Sequence, residues 1–204
     1  EYANQTYKQS PIEINDNYDD FQTRNISLFN ENLLTDNNQV EAQATRLTAN
    51  TGSWANIAEV IEDSNEGAVI YLNGTDYVAS GNDKTIYVVS SITINGASAS
   101  DSTLTSTFDA SRLLQAFYVA VPTKVTFRNL NIINSASTSN GGAVYGTENC
   151  NIEFINCNFI NNYVDKANGG VIYIDKKGNL KITNCNFTDN EAYDGNGGAI
   201  YGNT

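Results

Sequence analysis

The sequence of 204 residues has no histidine and no methionine, and only two prolines, one tryptophan and three cysteines. Without histidine, a Ser/His/Asp or Cys/His catalytic arrangement cannot form. Basic residues are also few: 11 lysines and arginines stand against 23 acidic residues, for a net charge of −12. Nucleic acids and anionic membranes require a cationic surface, so this charge argues against both as partners. No apolar run approaches the roughly 20 residues of a transmembrane segment.

Candidate enzyme sites are equally scarce. Lyases and glycosidases built on β-helices need paired carboxylates, or a Ca²⁺ site with a basic residue, in one groove. Asp175 precedes two lysines, and acidic residues cluster at 189–194, but neither group recurs with the spacing of such a site. A solvated acidic turn is the simpler interpretation of 189–194 than a weak Ca²⁺ site. We therefore predict no catalytic residues, no metal and no cofactor.

What the sequence does contain is a repeat of constant length from residue 141 onward. The pair Gly141-Gly142 returns as Gly169-Gly170 and as Gly197-Gly198, each time at an offset of 28. Residues 141–168 and 169–196 are identical at 10 of 28 positions. A period of this size, kept without drift, is typical of a solenoid whose units bury their apolar faces against one another.

Within each unit the apolar residues alternate with a period of two, as in residues 151–155 and 179–183, which indicates β-strands. A degraded earlier copy, residues 125–134, matches at an offset of 27. Copies separated by such offsets can pair in parallel, because the connection is long enough for a crossover. The sequence therefore predicts an all-β fold: a right-handed, single-stranded parallel β-helix with one coil per repeat.

Like residues should then lie over like residues in successive coils. Side-chain amides can hydrogen-bond between coils, rings can stack, and Glu153 would face Lys181 on the outer side. The predicted stacks are Asn156 on Asn184, Asn162 on Asn190, Cys157 on Cys185 and Phe159 on Phe187. We interpret the stacked cysteines as small core residues rather than a disulfide, because in-register side chains point the same way. The third thiol, Cys150, leaves an odd number, which suggests a habitat that is not oxidising.

A tyrosine also recurs with the repeat, at Tyr145, Tyr173 and Tyr201. Facing outward, these residues would form an aromatic strip suited to stacking on sugars or packing on a partner, and they are the candidate ligand or partner surface. Facing inward, they would be core. Strand parity alone does not decide, and we favour an inward or edge position.

Asn-x-Ser/Thr triplets are a further candidate feature, because they permit N-glycosylation of an exported chain. They occur at Asn4, Asn25, Asn73 and Asn186. Such triplets are also expected by chance in a sequence rich in asparagine and threonine.

The chain is predicted to have three parts. Residues 1–50 are polar without a sustained period and form an arm or linker, possibly strand-donating, with short strands at 11–14 and 26–29. Residues 51–67 contain an amphipathic helix after the N-cap Ser53, suited to covering the open end of the β-helix. Residues 68–204 form the β-helix, which stops partway into a coil, so the natural protein is expected to continue or to pair there with another copy.

Several of these segments together resemble a known family. The segments concerned are the Trp54 helix, residues 68–72 and 92–96, and the run 184–190 before Gly197-Gly198. In these segments the chain is similar to adhesin-like surface proteins of methanogenic archaea. The Phe-x-x-Asn and Gly-Gly-Ala combination also resembles the passenger repeats of chlamydial polymorphic outer-membrane proteins, which are richer in cysteine. Both resemblances imply a β-helix displayed on a cell surface for attachment, and neither supplies a catalytic site or a ligand.

The predicted function is a non-enzymatic, adhesin-like or structural module at the cell surface or outside the cell. Its partner would be a cell-surface protein or glycan receptor, or other copies of itself. One alternative is a subunit that assembles into an extracellular filament or surface lattice through residues 1–50. A second alternative is a carbohydrate-active β-helix enzyme.

Overall fold

The structure is a computed structural model that describes residues 52–120 and 122–203, together with the backbone of strands 26–29 and 46–49. Strands are short because each corner of a coil interrupts them. The elements are β1 (Ile26–Phe29), β2 (Arg46–Ala49), α1 (Trp54–Glu62), β3 (Val69–Tyr71), β4 (Tyr77–Val78), β5 (Ile86–Val88), β6 (Thr93–Asn95), β7 (Ser106–Asp109), β8 (Phe117–Val119), β9 (Lys124–Arg128), β10 (Leu130–Ile133), β11 (Ala136–Ser137), β12 (Val144–Gly146), β13 (Asn151–Ile155), β14 (Asn158–Ile160), β15 (Tyr163–Asp165), β16 (Ile172–Ile174), β17 (Asn179–Thr183), β18 (Asn186–Thr188), β19 (Glu191–Tyr193) and β20 (Ile200–Gly202).

These strands form a parallel β-solenoid of about five turns, which confirms the predicted all-β class. Four sheets run along it, in the orders β1-β2-β3-β6-β9-β13-β17, β4-β7-β10-β14-β18, β11-β15-β19 and β5-β8-β12-β16-β20. The predicted register is confirmed, because Phe159 pairs with Phe187 and Phe127 pairs with Phe154. The right-handed turn of the coil stays a prediction.

The interior of the coils is one apolar cluster that extends from α1 to the fourth turn. In β13, Ile152 and Phe154 point into it while Glu153 points out, as the alternation predicted. Glu153 Oε1 accepts a hydrogen bond from Lys181 Nζ at 2.6 Å on the outer side. The period of two along each strand therefore fixes which side chains fill the core.

At the first turn, α1 covers the edge strands β4 and β5. Ser53 caps the helix by accepting from the Asn56 backbone N–H at 3.4 Å, and the helix buries its apolar stripe in the core. Glu62 Oε1 accepts from the Tyr87 N–H of β5 at 3.1 Å, and Trp54 Nε1 donates to the Lys84 carbonyl at 2.9 Å. The helix thus supplies partners for groups at and near the edge of the first turn.

The two described segments of the arm extend the seven-stranded sheet. β2 pairs in parallel with β3, and β1 pairs antiparallel with β2. The strand predicted at 26–29 is thereby confirmed, whereas the one at 11–14 lies outside the described residues. Among the described residues, no helix is long and apolar enough to span a membrane.

Glycine and asparagine make the corners of the coils. Gly169 begins the Gly-Gly signature with φ +75°, a left-handed conformation that glycine adopts without steric cost. Asn156 and Asn184 lie between consecutive strands with φ values of 54° and 52°. Asparagine tolerates this conformation better than most residues, which explains why it recurs at this corner.

Candidate functional site

Asparagine ladders run along the outside of the coils. At one corner, amide Nδ2 groups donate to the Oδ1 atom of the preceding coil, from Asn129 to Asn95 (3.0 Å), Asn156 to Asn129 (3.2 Å) and Asn184 to Asn156 (3.4 Å). A second ladder joins Asn186, Asn158 and Asn131. The predicted stack of Asn156 and Asn184 is confirmed, and it extends over four turns. Each ladder links the coils through side chains as well as backbone.

Asn162 and Asn190 form a different kind of stack, because their side chains point inward. Asn162 is fully buried, and its Oδ1 accepts from the Ser135 N–H at 3.0 Å. Its Nδ2 donates to the Ile132 carbonyl and to Asn190 Oδ1, both at 3.0 Å. The side chain therefore satisfies backbone groups of the preceding coil that have no access to water.

The aromatic and cysteine stacks are also in the predicted register. The rings of Phe159 and Phe187 lie 4.8 Å apart between centroids and 13° from parallel. Cys157 is buried beside the half-buried Cys185, and both thiols are free. Cys157 Sγ lies 3.6 Å from the Phe127 carbonyl oxygen. The interpretation of Cys157 as a small core residue agrees with this placement.

The third cysteine, Cys150, is replaced by Gly178 in the next coil, and two glycines make room for its thiol. A Cβ atom at Gly146 would lie 2.7 Å from Cys150 Sγ, and one at Gly178 would lie 3.3 Å from it. Burial raises the pKa of the Cys150 thiol to about 11. The hydrogen bond with Cys185 and burial both raise the pKa of Cys157, while hydrogen bonds from Cys157 lower the pKa of Cys185.

We expect the three thiols to react at very different rates with an aromatic disulfide reagent. Cys185 should react in the native protein, because it is partly exposed and its lowered pKa favours the reactive thiolate. Cys150 and Cys157 should react only after denaturation. Absorbance of the released thiolate measures this, and a Cys185→Ser variant should lack the fast phase. Release of all three in one native phase would contradict the prediction.

The recurrent tyrosines lie on the outer side of the solenoid, whereas an inward or edge position was favoured from the sequence. In β12, the neighbours Val144 and Gly146 are buried and Tyr145 points away from them. Tyr173 is only 6% exposed, yet it does not belong to the core cluster. Its ring is covered instead by Tyr145 and Tyr201, with centroids 5.2 and 5.7 Å away.

Two further tyrosines extend the stack to five residues, and sequence reasoning missed them. The tyrosine row comprises Tyr87, Tyr118, Tyr145, Tyr173 and Tyr201, with consecutive centroids 5.1 to 5.7 Å apart. Tyr87 and Tyr118 each sit between two apolar residues, but they do not keep the constant offset of the three later tyrosines. Because the rings cover each other's faces, the row presents ring edges outward rather than open platforms for sugars.

An acidic residue accompanies the tyrosine row. Tyr145 Oη donates to Asp175 Oδ2 at 3.2 Å, and Asn203 Nδ2 donates to Asp175 Oδ1 at 2.9 Å. Hydrogen bonds from Asn203 and from the Lys176 backbone lower the pKa of Asp175. Burial and the nearby Asp175 charge raise the pKa of Tyr145 to about 12. Asp175 thus accepts a hydrogen bond from the tyrosine row, and this role differs from that of a carboxylate in a catalytic pair.

We expect the protein to lose stability between about pH 10 and 12. The folded state holds the Tyr145 proton to about pH 12, whereas an unfolded tyrosine releases it near its ordinary pKa of 10.0. Stabilisation from this group is therefore complete below pH 10 and is lost as the pH rises toward 12. Circular dichroism melts across this range measure the loss, which Tyr145→Phe should reduce. An identical pH profile for the variant would contradict the assignment.

The candidate N-glycosylation sites lie in different parts of the chain. Asn73 is a half-buried turn residue, and Asn186 is exposed with its amide in the second ladder. Asn4 and Asn25 lie outside the described residues. Use of these sequons stays a prediction. Among the residues the structure describes, no group of three or more Cys, Asp or Glu side chains is arranged to hold a metal ion.

The chain was compared with family models, curated proteins and solved structures, and none of the three comparisons found a match.

Proposed function

We propose that the chain is a non-enzymatic attachment or structural module that acts at the cell surface or outside the cell. The supporting observation is the stacking of outward side chains along the turns, in the asparagine ladders and the tyrosine row. These side-chain stacks add to the backbone pairing between coils, so the solenoid forms a stiff rod with a long lateral surface. Such a surface suits many weak contacts with a cell-surface protein or glycan receptor, and the fold is consistent with the archaeal adhesin-like resemblance.

The tyrosine row is the proposed lateral contact. Its ring edges, the phenol groups and the exposed Tyr87, which is 47% accessible, combine apolar area with hydrogen-bonding capacity. Tyrosine is favoured at protein interfaces for this combination. The row also crosses the successive turns, so a partner could contact the accessible ring edges of several turns at once.

Binding of the labelled chain to a panel of intact prokaryotic and eukaryotic cells tests the proposal. We expect saturable binding that a Tyr118→Thr/Tyr145→Thr variant weakens at least tenfold. The matched control is Glu153→Thr/Lys181→Thr, which changes two outward residues of a different sheet and should bind normally. Absence of saturable binding to every surface would refute attachment, and equal loss in both variants would refute the tyrosine row as the contact.

The two alternatives have their own readouts. Assembly predicts concentration-dependent sedimentation that disappears when residues 1–50 are removed, and an unchanged monomer in both forms would end that idea. In the described structure β1 pairs with β2, and β2 pairs with the chain's own β3, so both strands have a partner within the molecule. Enzyme activity predicts oligosaccharides released from neutral or acidic glycans, and a broad panel without any release would remove it.

A further inference from the structure

A groove of about 620 Å³ lies on the outer side of the solenoid, on the sheet β11-β15-β19 rather than on the sheet of the tyrosine row. Its lining combines apolar, aromatic and charged groups. Among them are Arg112, Leu113, Ala136, Tyr163 and Asp165. A concave site with an aromatic wall and a few polar groups is the usual form of a small-ligand site.

The groove exists because a small residue lies between larger ones. Ala136 pairs with Tyr163 of the next coil, and its N–H donates to the Leu114 carbonyl of the preceding coil at 3.1 Å. The alanine methyl group therefore leaves a notch between the segment 111–115 and the tyrosine ring. A larger residue at this position would fill the notch.

The segment above the notch is held in an unusual backbone conformation. Ser111 and Arg112 have consecutive positive φ values of 53° and 61°, which non-glycine residues seldom adopt. The Ser111 N–H donates to Asp109 Oδ1 at 2.8 Å, and the Arg112 N–H donates to the Asn134 carbonyl at 2.7 Å. Strain of this kind persists where the surrounding structure imposes it, and it is concentrated at functional sites.

This conformation determines which groups face the groove. The guanidinium of Arg112 lies 5.8 Å from the centre of the Tyr163 ring and donates to Asn161 Oδ1. Leu113 is left 54% exposed, which is high for a large apolar side chain beside a groove. The strained turn thus brings a cation and an apolar side chain to the same rim.

Tyr163 differs from the tyrosine row because its ring is not used for stacking. Its partners in the adjacent coils are Ala136 and Glu191, so no tyrosine is paired with it as in the tyrosine row. Desolvation and the charges of Asp165 and Glu191 raise its pKa. The phenol therefore stays a neutral donor across the physiological range, and the Arg112 guanidinium lies over its ring.

We propose that this groove binds a neutral sugar unit of a glycan. The Tyr163 ring and Leu113 offer apolar area for the C–H face of a pyranose. The Arg112 guanidinium donates hydrogen bonds and the Asp165 carboxylate accepts them, which matches hydroxyl groups that do both. With one cation and one anion at the rim, and a net charge of −12 on the chain, anionic sugars are disfavoured.

This inference names a ligand class for the attachment module and rests on that proposed function. The probes are glucose-, mannose-, galactose- and N-acetylglucosamine-based tetrasaccharides, with tetragalacturonate as the anionic comparison, measured by titration calorimetry. We expect binding of at least one neutral probe, weakened at least tenfold by Tyr163→Ala and by Ala136→Phe, which fills the notch. The matched control is Thr126→Phe, a bulky residue placed outward on another sheet, which should leave binding unchanged.

Thermal melts establish that each variant folds. Tyr163→Ala removes the aromatic ring and Ala136→Phe fills the notch, so agreement between the two variants would show that the groove itself is needed for binding. Failure of every neutral probe to bind, binding of tetragalacturonate alone, or equal binding by wild type and both groove variants would overturn the glycan proposal. Saturable binding to cells in the same preparation would then leave attachment standing. If the chain bound a sugar clearly but did not bind any cell, the attachment function would be refuted and the proposal of a glycan-binding groove would stand.

Discussion

Replacing Asn162 with alanine is expected to lower the free energy of unfolding by about 3 kcal/mol. The side chain is fully buried and joins the coils before and after it. Its removal leaves the Ser135 N–H without its acceptor and takes a donor from the Ile132 carbonyl, in a place that water does not reach. Each unsatisfied buried group costs about 1–3 kcal/mol, and the cavity left by the amide adds to the loss.

Urea denaturation followed by circular dichroism measures this change. The matched control is Ser135→Ala, because the Ser135 hydroxyl is buried with no hydrogen-bond partner while its backbone N–H keeps the bond to Asn162. That variant should be neutral or slightly stabilising. A loss below about 1 kcal/mol for Asn162→Ala would show that the inward amide is not needed to satisfy the coil backbone.

Replacing Gly170 with alanine should destabilise the protein by about 3 kcal/mol or more, since overpacking without room to relax costs at least this much. A Cβ atom at Gly170 would lie 2.0 Å from the Gly198 carbonyl oxygen and 2.7 Å from the backbone of Glu191. Both obstacles belong to backbone of the next coil. The coils would have to separate locally, which breaks hydrogen bonds between them.

Gly198 provides a control at the same position of the repeat. A Cβ atom there would meet only the Asn190 carbonyl oxygen, at an ordinary 3.8 Å. Gly198→Ala should therefore change the free energy of unfolding by less than about 0.5 kcal/mol, as surface substitutions usually do. Denaturation midpoints of the two variants give the comparison. Equal effects would mean that glycine is needed at this position for backbone conformation rather than for close approach of the coils.

Much of the fold could be predicted because the repeat is regular. A constant offset places Asn156, Phe159 and their copies over one another, and strand parity then assigns Ile152 and Phe154 to the core. The Asn162 stack was predicted in register, but its inward direction was not, since asparagine is usually an exposed residue. Its role follows from the backbone groups that it meets in the preceding coil.

The candidate sites were less accessible from sequence. The strand Val144–Gly146 is short and follows two glycines, so its parity gave no firm direction for Tyr145. Tyr87 and Tyr118 escaped notice because the earlier coils differ in length from the later ones. The groove depends on the segment 111–115, which has no counterpart in the repeat and whose conformation is set by contacts with the next coil.

By itself, then, the sequence determined the β-solenoid, its register and its stacked asparagines, phenylalanines and cysteines. It could do so because the same local pattern recurs at nearly constant spacing and each copy needs its neighbour to bury its apolar face. Only the tertiary structure decided that the tyrosines face outward as one row of five and that Ala136 opens a groove beside Tyr163. The direction of the later tyrosines depends on how a short strand is oriented after a glycine corner. The full row and the groove also involve earlier segments of unequal length, which a constant period does not encode.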